Sequence, residues 1–222
     1  DDYTEYKDVE QVKRININNR PFTSQLKIIK VDKETGKTVT LNSASFKIKD
    51  AQGNHVTQKV AGKKYDTFTT NSKNVVTVKD TEEGTVTLPL QLDAGNYTIE
   101  EIKTPKGFLD LDNPIQFTIT NTRDYDRDED KDPILTIKVK NAQPKAEIKI
   151  NKTITDLDTD KDLVDRSNLS QIQFELKAKD NIYSSIDGSL LFKKDQNISL
   201  KESKMDYLPY QMMVIYKLQI YQ

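Results

Sequence analysis

The chain has 222 residues, a net charge of −1, 31% charged and 35% apolar residues, and a single histidine. That length holds one large or two small domains around a lean core, and the near-zero charge creates no field that favours nucleic acid or an anionic membrane. With no cysteine, disulfides, thiolate metal sites and cysteine nucleophiles are excluded. No apolar run is long enough to span a membrane. The sequence opens at Asp1 without a signal peptide and reads as an excerpt of a longer protein, so missing targeting signals say little about location.

In chain order, an alternating run from Val12 to Ile17 leads to Asn19 and then Pro21. Leu26-x-Ile28-x-Lys30 is the next alternating segment, followed by Ala44-Ser-Phe46-Lys-Ile48 and an Asp50-Ala-Gln-Gly53 turn. Val75-Val-Thr-Val78 and Thr85-Val-Thr-Leu88 are β-branched runs, expected as strands. Asp93-Ala-Gly95-Asn96 is a turn before Tyr97-x-Ile99-x-Glu101, and Phe117-Thr-Ile119 and Ile137-x-Val139-x-Asn141 are further strands. No amphipathic helix is evident in residues 23–144. Short strands with frequent turn signals predict an all-β fold, a β-sandwich. The order strand, Asn, Pro-containing linker, strand, Lys then recurs: Asn19 and Pro21 precede Lys30, and Asn141 and Pro144 precede Lys152, each asparagine eleven positions before its lysine. This predicts tandem repeats: residues 1–22 as the last strand of a preceding domain, 23–144 as a complete domain, and 145–222 as an incomplete one.

Residues two apart on a strand point to one face. If Leu26, Ile28, Ile137, Val139, Tyr97 and Ile99 face a core, then Lys30, Asn141 and Glu101 face it too, whereas Glu100 faces the other way. A lysine, an amide and a carboxyl meeting in a dry core are the reagents for a self-made amide cross-link. Desolvation favours the neutral, nucleophilic amine. Burial likewise favours a carboxyl that keeps its proton, so Glu101 is expected to hydrogen-bond the Asn141 carboxamide oxygen, stabilise the tetrahedral intermediate and pass a proton to the departing ammonia. Proximity within the fold supplies much of the rate.

These segments resemble the Cna B-type (SpaA-like) domains of Gram-positive pilins and surface adhesins. Lys30-Val-Asp32-x-Glu-Thr-Gly36 looks like the family's first strand and turn, and Ala44-Ser-Phe46-Lys-Ile48 its second strand. Tyr97-x-Ile99-x-Glu101-x-x-Thr104-Pro105-x-Gly107-Phe108 is similar to its glutamate motif, with Thr104 in place of the usual Ala and Phe108 in place of the usual Tyr. Val139-Lys-Asn141 resembles the closing strand. The resemblance covers the whole of residues 23–144 and implies an immunoglobulin-like β-sandwich. It also implies an intramolecular Lys30–Asn141 isopeptide bond promoted by Glu101, made once per molecule rather than by turnover. Asn19 and Lys152 are then the orphan counterparts of bonds in neighbouring repeats. Such a tie joins first strand to last and carries tension from one terminus to the other.

The acidic runs Asp124–Asp132 and Asp156–Asp162 space carboxylates like calcium ligands, but neither has the glycine and glutamate of an EF-hand. They read as solvated loops. The lone His55 follows a turn and reads as a surface residue, and His-based triads and multi-His zinc sites are implausible. No pair of carboxylates stands out as glycosidase machinery. Neither a metal nor a cofactor is expected.

From about residue 204 the tail is aberrant: all three methionines and four tyrosines fall in the last nineteen positions. Reading from the third base of the Met212 codon gives Asp-Gly, and the following codons permit a run like Glu83-Gly-Thr-Val86-Thr-Leu88, so a reading-frame error is favoured over the alternative of a genuine divergent tail. The functional expectation is a structural stalk module of a cell-wall-anchored, extracellular adhesin or pilus-like protein, monomeric, with neighbouring repeats of its own polypeptide as partners. Membrane insertion of this fragment is not expected. The alternative is an adhesin domain that binds host matrix protein. A polymerising pilin would need a donor-lysine motif and a sorting signal, and neither is evident.

Overall fold

The computed structural model describes residues 21–77, 81–150, 175–198, 201–202 and 214–218. Among these there is no helix. The strands of the middle segment are β1 (Thr23–Asp32), β2 (Ser45–Lys49), β3 (Gln58–Val60), β4 (Lys63–Tyr65), β5 (Phe68–Thr69), β6 (Thr85–Thr87), β7 (Leu92–Asp93), β8 (Gly95–Lys103), β9 (Ile115–Ile119), β10 (Asp126–Arg127) and β11 (Pro133–Asn141). Those that follow are β12 (Ala146–Ile150), β13 (Ile182–Tyr183), β14 (Leu190–Phe192), β15 (Lys201–Glu202) and β16 (Val214–Leu218).

Two sheets form a sandwich. One has the order β10-β11-β1-β6, with β7 also on β1; the other has the order β5-β2-β8-β9. The expected alternation holds along β1, where Leu26, Ile28 and Lys30 are all fully buried. Leu26, Ile28, Val86, Leu135 and Val139 of the first sheet share one apolar cluster with Phe46, Ile48, Phe68, Ile99, Phe117 and Ile119 of the second. Each such side chain contributes about 1.5–3 kcal/mol by leaving water. Strand β1 pairs β11 in parallel, Ile28 opposite Ile137 and Lys30 opposite Val139. Parallel neighbours cannot be joined by a hairpin, and here the intervening chain builds the whole second sheet. First and last strands therefore lie side by side in the middle of their sheet.

Some expectations fail locally. The described part of the Val75–Val78 run, Val75 to Thr77, is not a strand: Ser72 and Val75 close a tight turn and Val76 is exposed; Val78 lies outside the described residues. Asn71 explains this, because its Oδ1 accepts hydrogen bonds from both the amide and the hydroxyl of Thr77. That side-chain organiser outcompetes β-branched propensity. The acidic run holds a short strand, β10, hairpinned to β11 through Asp128, whose amide donates to Asp132 O and whose Oδ1 accepts from the Asp132 amide. The segments bearing Asn19, Lys152 and Asp156–Asp162 lie outside the described residues.

Beyond Pro144, β12 pairs antiparallel with β16, and β16 with β15. The tail thus supplies a strand. Ile150 faces Val214 in this pair, as Ile28 faces Val86 in the antiparallel β1–β6 pair.

Candidate functional site

Three strands deliver three polar side chains into one dry place. Lys30 comes from β1 and Asn141 from the end of β11, neighbours in one sheet; Glu101 comes from β8, across the core. Lys30 is 0% exposed and the Glu101 side chain only 1%. Lys30 Nζ donates to Asn141 Oδ1 at 2.6 Å and to Val139 O at 3.3 Å. It lies 3.7 Å from Glu101 Oε1 and 5.9 Å from the Phe108 ring centroid. Asn141 Nδ2 donates to Glu101 Oε2 at 2.5 Å and to Leu109 O at 2.9 Å. Among the described residues Glu101 Oε1 has no hydrogen-bond partner, and the lysine nitrogen stands 3.7 Å from it. Glu100 points the other way and pairs with Lys49 at 2.6 Å.

One expectation differs in detail. Glu101 faces the amide nitrogen of Asn141, and Lys30 holds the carboxamide oxygen. The reason is Leu109 O, which can only accept and so requires the NH₂ end of the amide on its side. The glutamate thereby bridges the two nitrogens, one carboxyl oxygen toward each. Burial pushes the Lys30 ammonium down from 10.5 to about 8, even though Glu101 and Asp32 favour its charged form. This is the direction that supplies a neutral amine.

The sequence motif did not reveal the parts that hold these groups. Thr104 Oγ1 lies 3.1 Å from Glu101 Oε2 and 2.6 Å from Asp110 Oδ1, its one hydroxyl proton shared between the two carboxyls. A small side chain at this position would offer neither bond. Asp32 is buried as well; burial opposes its charge, but hydrogen bonds from Thr35 and Gln143 hold its carboxyl below the usual range. Strand parity, carried two residues past Lys30, marks Asp32 as inward-facing. Its Oδ1 accepts from Gln143 Nε2 at 2.9 Å, and Lys145 pairs with Glu34, so the segment after Asn141 is tied to the turn after β1. Elsewhere an open cleft of about 500 Å³, lined by Lys63, Tyr65, Phe68, Val86 and Pro89 among others, shares no residue with this cluster. His55 is exposed.

Residues 24–132 match the family described as SpaA, a prealbumin-like fold domain. This segment is a SpaA-like domain of the Cna B type; the match includes Lys30 and Glu101 and stops short of Asn141. Solved structures with a similar fold include the group B streptococcus pilus 2b backbone protein, at 21% identity over 57% of this chain and 43% of that one, TM-score 0.41. BcpA, the major pilin subunit of Bacillus cereus, matches at 20% identity over 56% of this chain and 30% of that one, TM-score 0.39. Domains D2 and D3 of the major pilin SpaD from Corynebacterium diphtheriae match at 21% identity over 55% of this chain and 48% of that one, TM-score 0.41. The chain spans less than half of each of these structures. No curated protein matches the sequence.

Proposed function

We propose that residues 23–144 are a structural stalk module of an extracellular, cell-wall-anchored bacterial surface protein, fastened by a self-made isopeptide bond between Lys30 and Asn141. The observation that carries this reading is the buried cluster in which a desolvated lysine, a carboxamide and a carboxyl meet within 4 Å of one another. Glu101 takes a proton from Lys30 Nζ, and the freed lone pair attacks Asn141 Cγ. The Cγ–Nζ bond forms and Glu101 passes a proton to Nδ2. The Cγ–Nδ2 bond then breaks and ammonia leaves, carrying the second proton lost from Nζ. Lysine ammonium and carboxamide become a secondary amide and ammonium. Each carboxyl oxygen already faces one of the two nitrogens between which the protons move, and the fold supplies their proximity.

The same reading makes residues from 145 onward the beginning of a second repeat. The matching registers of β12 with β16 and of β1 with β6 support it. The test is the intact mass of the folded chain beside its Glu101→Ala variant. A deficit of one ammonia in the parent, absent in the variant, is expected. A full mass in a well-folded parent would sink the cross-link.

A further inference from the structure

One turn of the following unit differs from its counterpart in the middle one, and that difference reaches back across the joint. In the middle unit, Val56 N donates to Ile48 O at 2.8 Å and Lys49 bridges His55. After Pro144 the same pattern recurs: Ile198 N donates to Leu176 O at 2.7 Å and Lys177 bridges Asn197. These bonds match Ile48 with Leu176, Lys49 with Lys177, His55 with Asn197 and Val56 with Ile198. Five residues, 50–54, separate the bridged pair in the first case; nineteen, 178–196, separate it in the second. The short turn closes on itself through Asp50 Oδ1, which accepts from the amides of Gln52 and Asn54. The long one projects the β13–β14 hairpin.

The tip of that hairpin is seated on the middle unit. Thr40 N and Leu41 N both donate to Ile186 O, at 2.8 and 3.0 Å. Lys73 Nζ donates to Asp187 O. Gly188, at φ +75°, lies against Leu41 so closely that a Cβ would stand 3.0 Å from Leu41 Cδ1. A hairpin tip is ordinarily the most exposed part of a protein, yet Ser184, Ser185 and Ile186 are only 6%, 5% and 8% exposed. The receiving loops are held ready. Thr40 O accepts from the Lys73 amide at 2.9 Å and Leu41 O from Asn74 Nδ2 at 3.4 Å. Ser43 and Ser72, both buried, are bonded to each other at 3.1 Å.

We infer that residues 178–196 are a clamp: a hairpin inserted in the second repeat that docks on the 38–43 and 71–75 loops of the repeat before it and sets the angle of the joint. Calling it an insertion rests on the tandem-repeat reading; the docking contacts do not. The clamp adds a second attachment to that of the chain itself, where Gln143 on Asp32 and Lys145 on Glu34 already restrain the linker. Two separate attachments stop a joint from swinging where one would leave a hinge.

Amide hydrogen exchange, read residue by residue on the whole chain, tests this beside a variant in which residues 178–196 are replaced by the Asp-Ala-Gln-Gly-Asn turn of residues 50–54. Ile198, whose amide is bonded within the second unit, reports whether that unit is folded. The expected result is protection of Ile198 in both proteins, with Thr40 and Leu41 exchanging at least about tenfold faster in the variant. Gly188→Val, which crowds Leu41, is expected to expose the same two amides without a deletion. Protected Ile198 with Thr40 and Leu41 equally fast in parent and variant would overturn the clamp and leave the repeat standing. Unprotected Ile198, Thr40 and Leu41 in the parent would overturn both.

Discussion

At the residue scale, the chemistry depends on how a few side chains hold one another. With Lys30 held at about 8 against an ordinary 10.5, the folded chain gives up the proton at a lower pH than the unfolded one. Between those values the unfolded state binds more protons, so the uncross-linked fold gains stability as pH rises from 8 to 10.5. Below both values the cost of a buried charge is present in full. Bond formation in freshly refolded chain should therefore speed up from pH 6 toward about 8 and then level off, followed as ammonia loss by mass spectrometry. A flat profile would remove lysine deprotonation from the slow step. Thr104 and Asp110 enter the same experiment. Thr104→Ala frees Glu101 Oε2 to drift from Asn141 and should slow ammonia loss by on the order of tenfold, with Thr104→Ser restoring most of the rate. Equal rates for all three proteins would make the hydroxyl a bystander. Lys30, Glu101 and Asn141 were legible because strict alternation carries each inward beside aliphatic neighbours. Thr104 was not, because a loop hydroxyl has no periodicity and its partners are fixed only by the fold.

At the element scale, the long alternating strands and the β-branched β6 were readable, and the short polar strands were not. Strands β1, β8, β9 and β11 each place apolar residues at every second position of their inner face. Glu101 keeps that parity although the β2–β8 pairing shifts register beside Phe46. Strands β3 and β4 are three residues each and rich in lysine, and β10 sits inside an aspartate run. Their partners, not their composition, make them strands. Turns separate two kinds of glycine. Gly84 lies at φ +76° with a would-be Cβ 2.3 Å from Thr38 Cγ2 and 2.6 Å from Val39 O, and its carbonyl accepts the Lys30 amide at 2.8 Å. Gly53 has φ +83° but open space around it. Gly84→Ala should cost roughly 2–4 kcal/mol and Gly53→Ala about 1 kcal/mol. Thermal unfolding of the two variants checks the order; a reversal would mean that crowding at Gly84 is relieved by movement of the Thr38 loop.

At the scale of the whole molecule, the proposed covalent bond between Lys30 and Asn141, 111 positions apart, would remove much of the freedom of the unfolded chain. Loop entropy makes it worth on the order of 4–5 kcal/mol. Glu101→Gln, which keeps the shape of the site but cannot relay protons, should lower the denaturation midpoint accordingly; an unchanged midpoint would show that the bond adds nothing to equilibrium stability. The β-sandwich could be anticipated from strand spacing alone. The docking of residues 184–188 could not, because nothing in Ser-Ser-Ile-Asp-Gly announces the surface that receives it. One consequence of the cluster concerns damage rather than strength. The proposed bond from Lys30 to Asn141 would turn residues 30–141 into a closed ring with a chain leaving each side. Any single cut in that ring, for instance after the exposed Lys63 or Lys64 between β3 and β5, linearises the ring but separates nothing. A protease-nicked parent should run as one species on a denaturing gel, where nicked Glu101→Ala falls into two pieces. A module built this way outlives its first peptide-bond break with whatever it carries still attached.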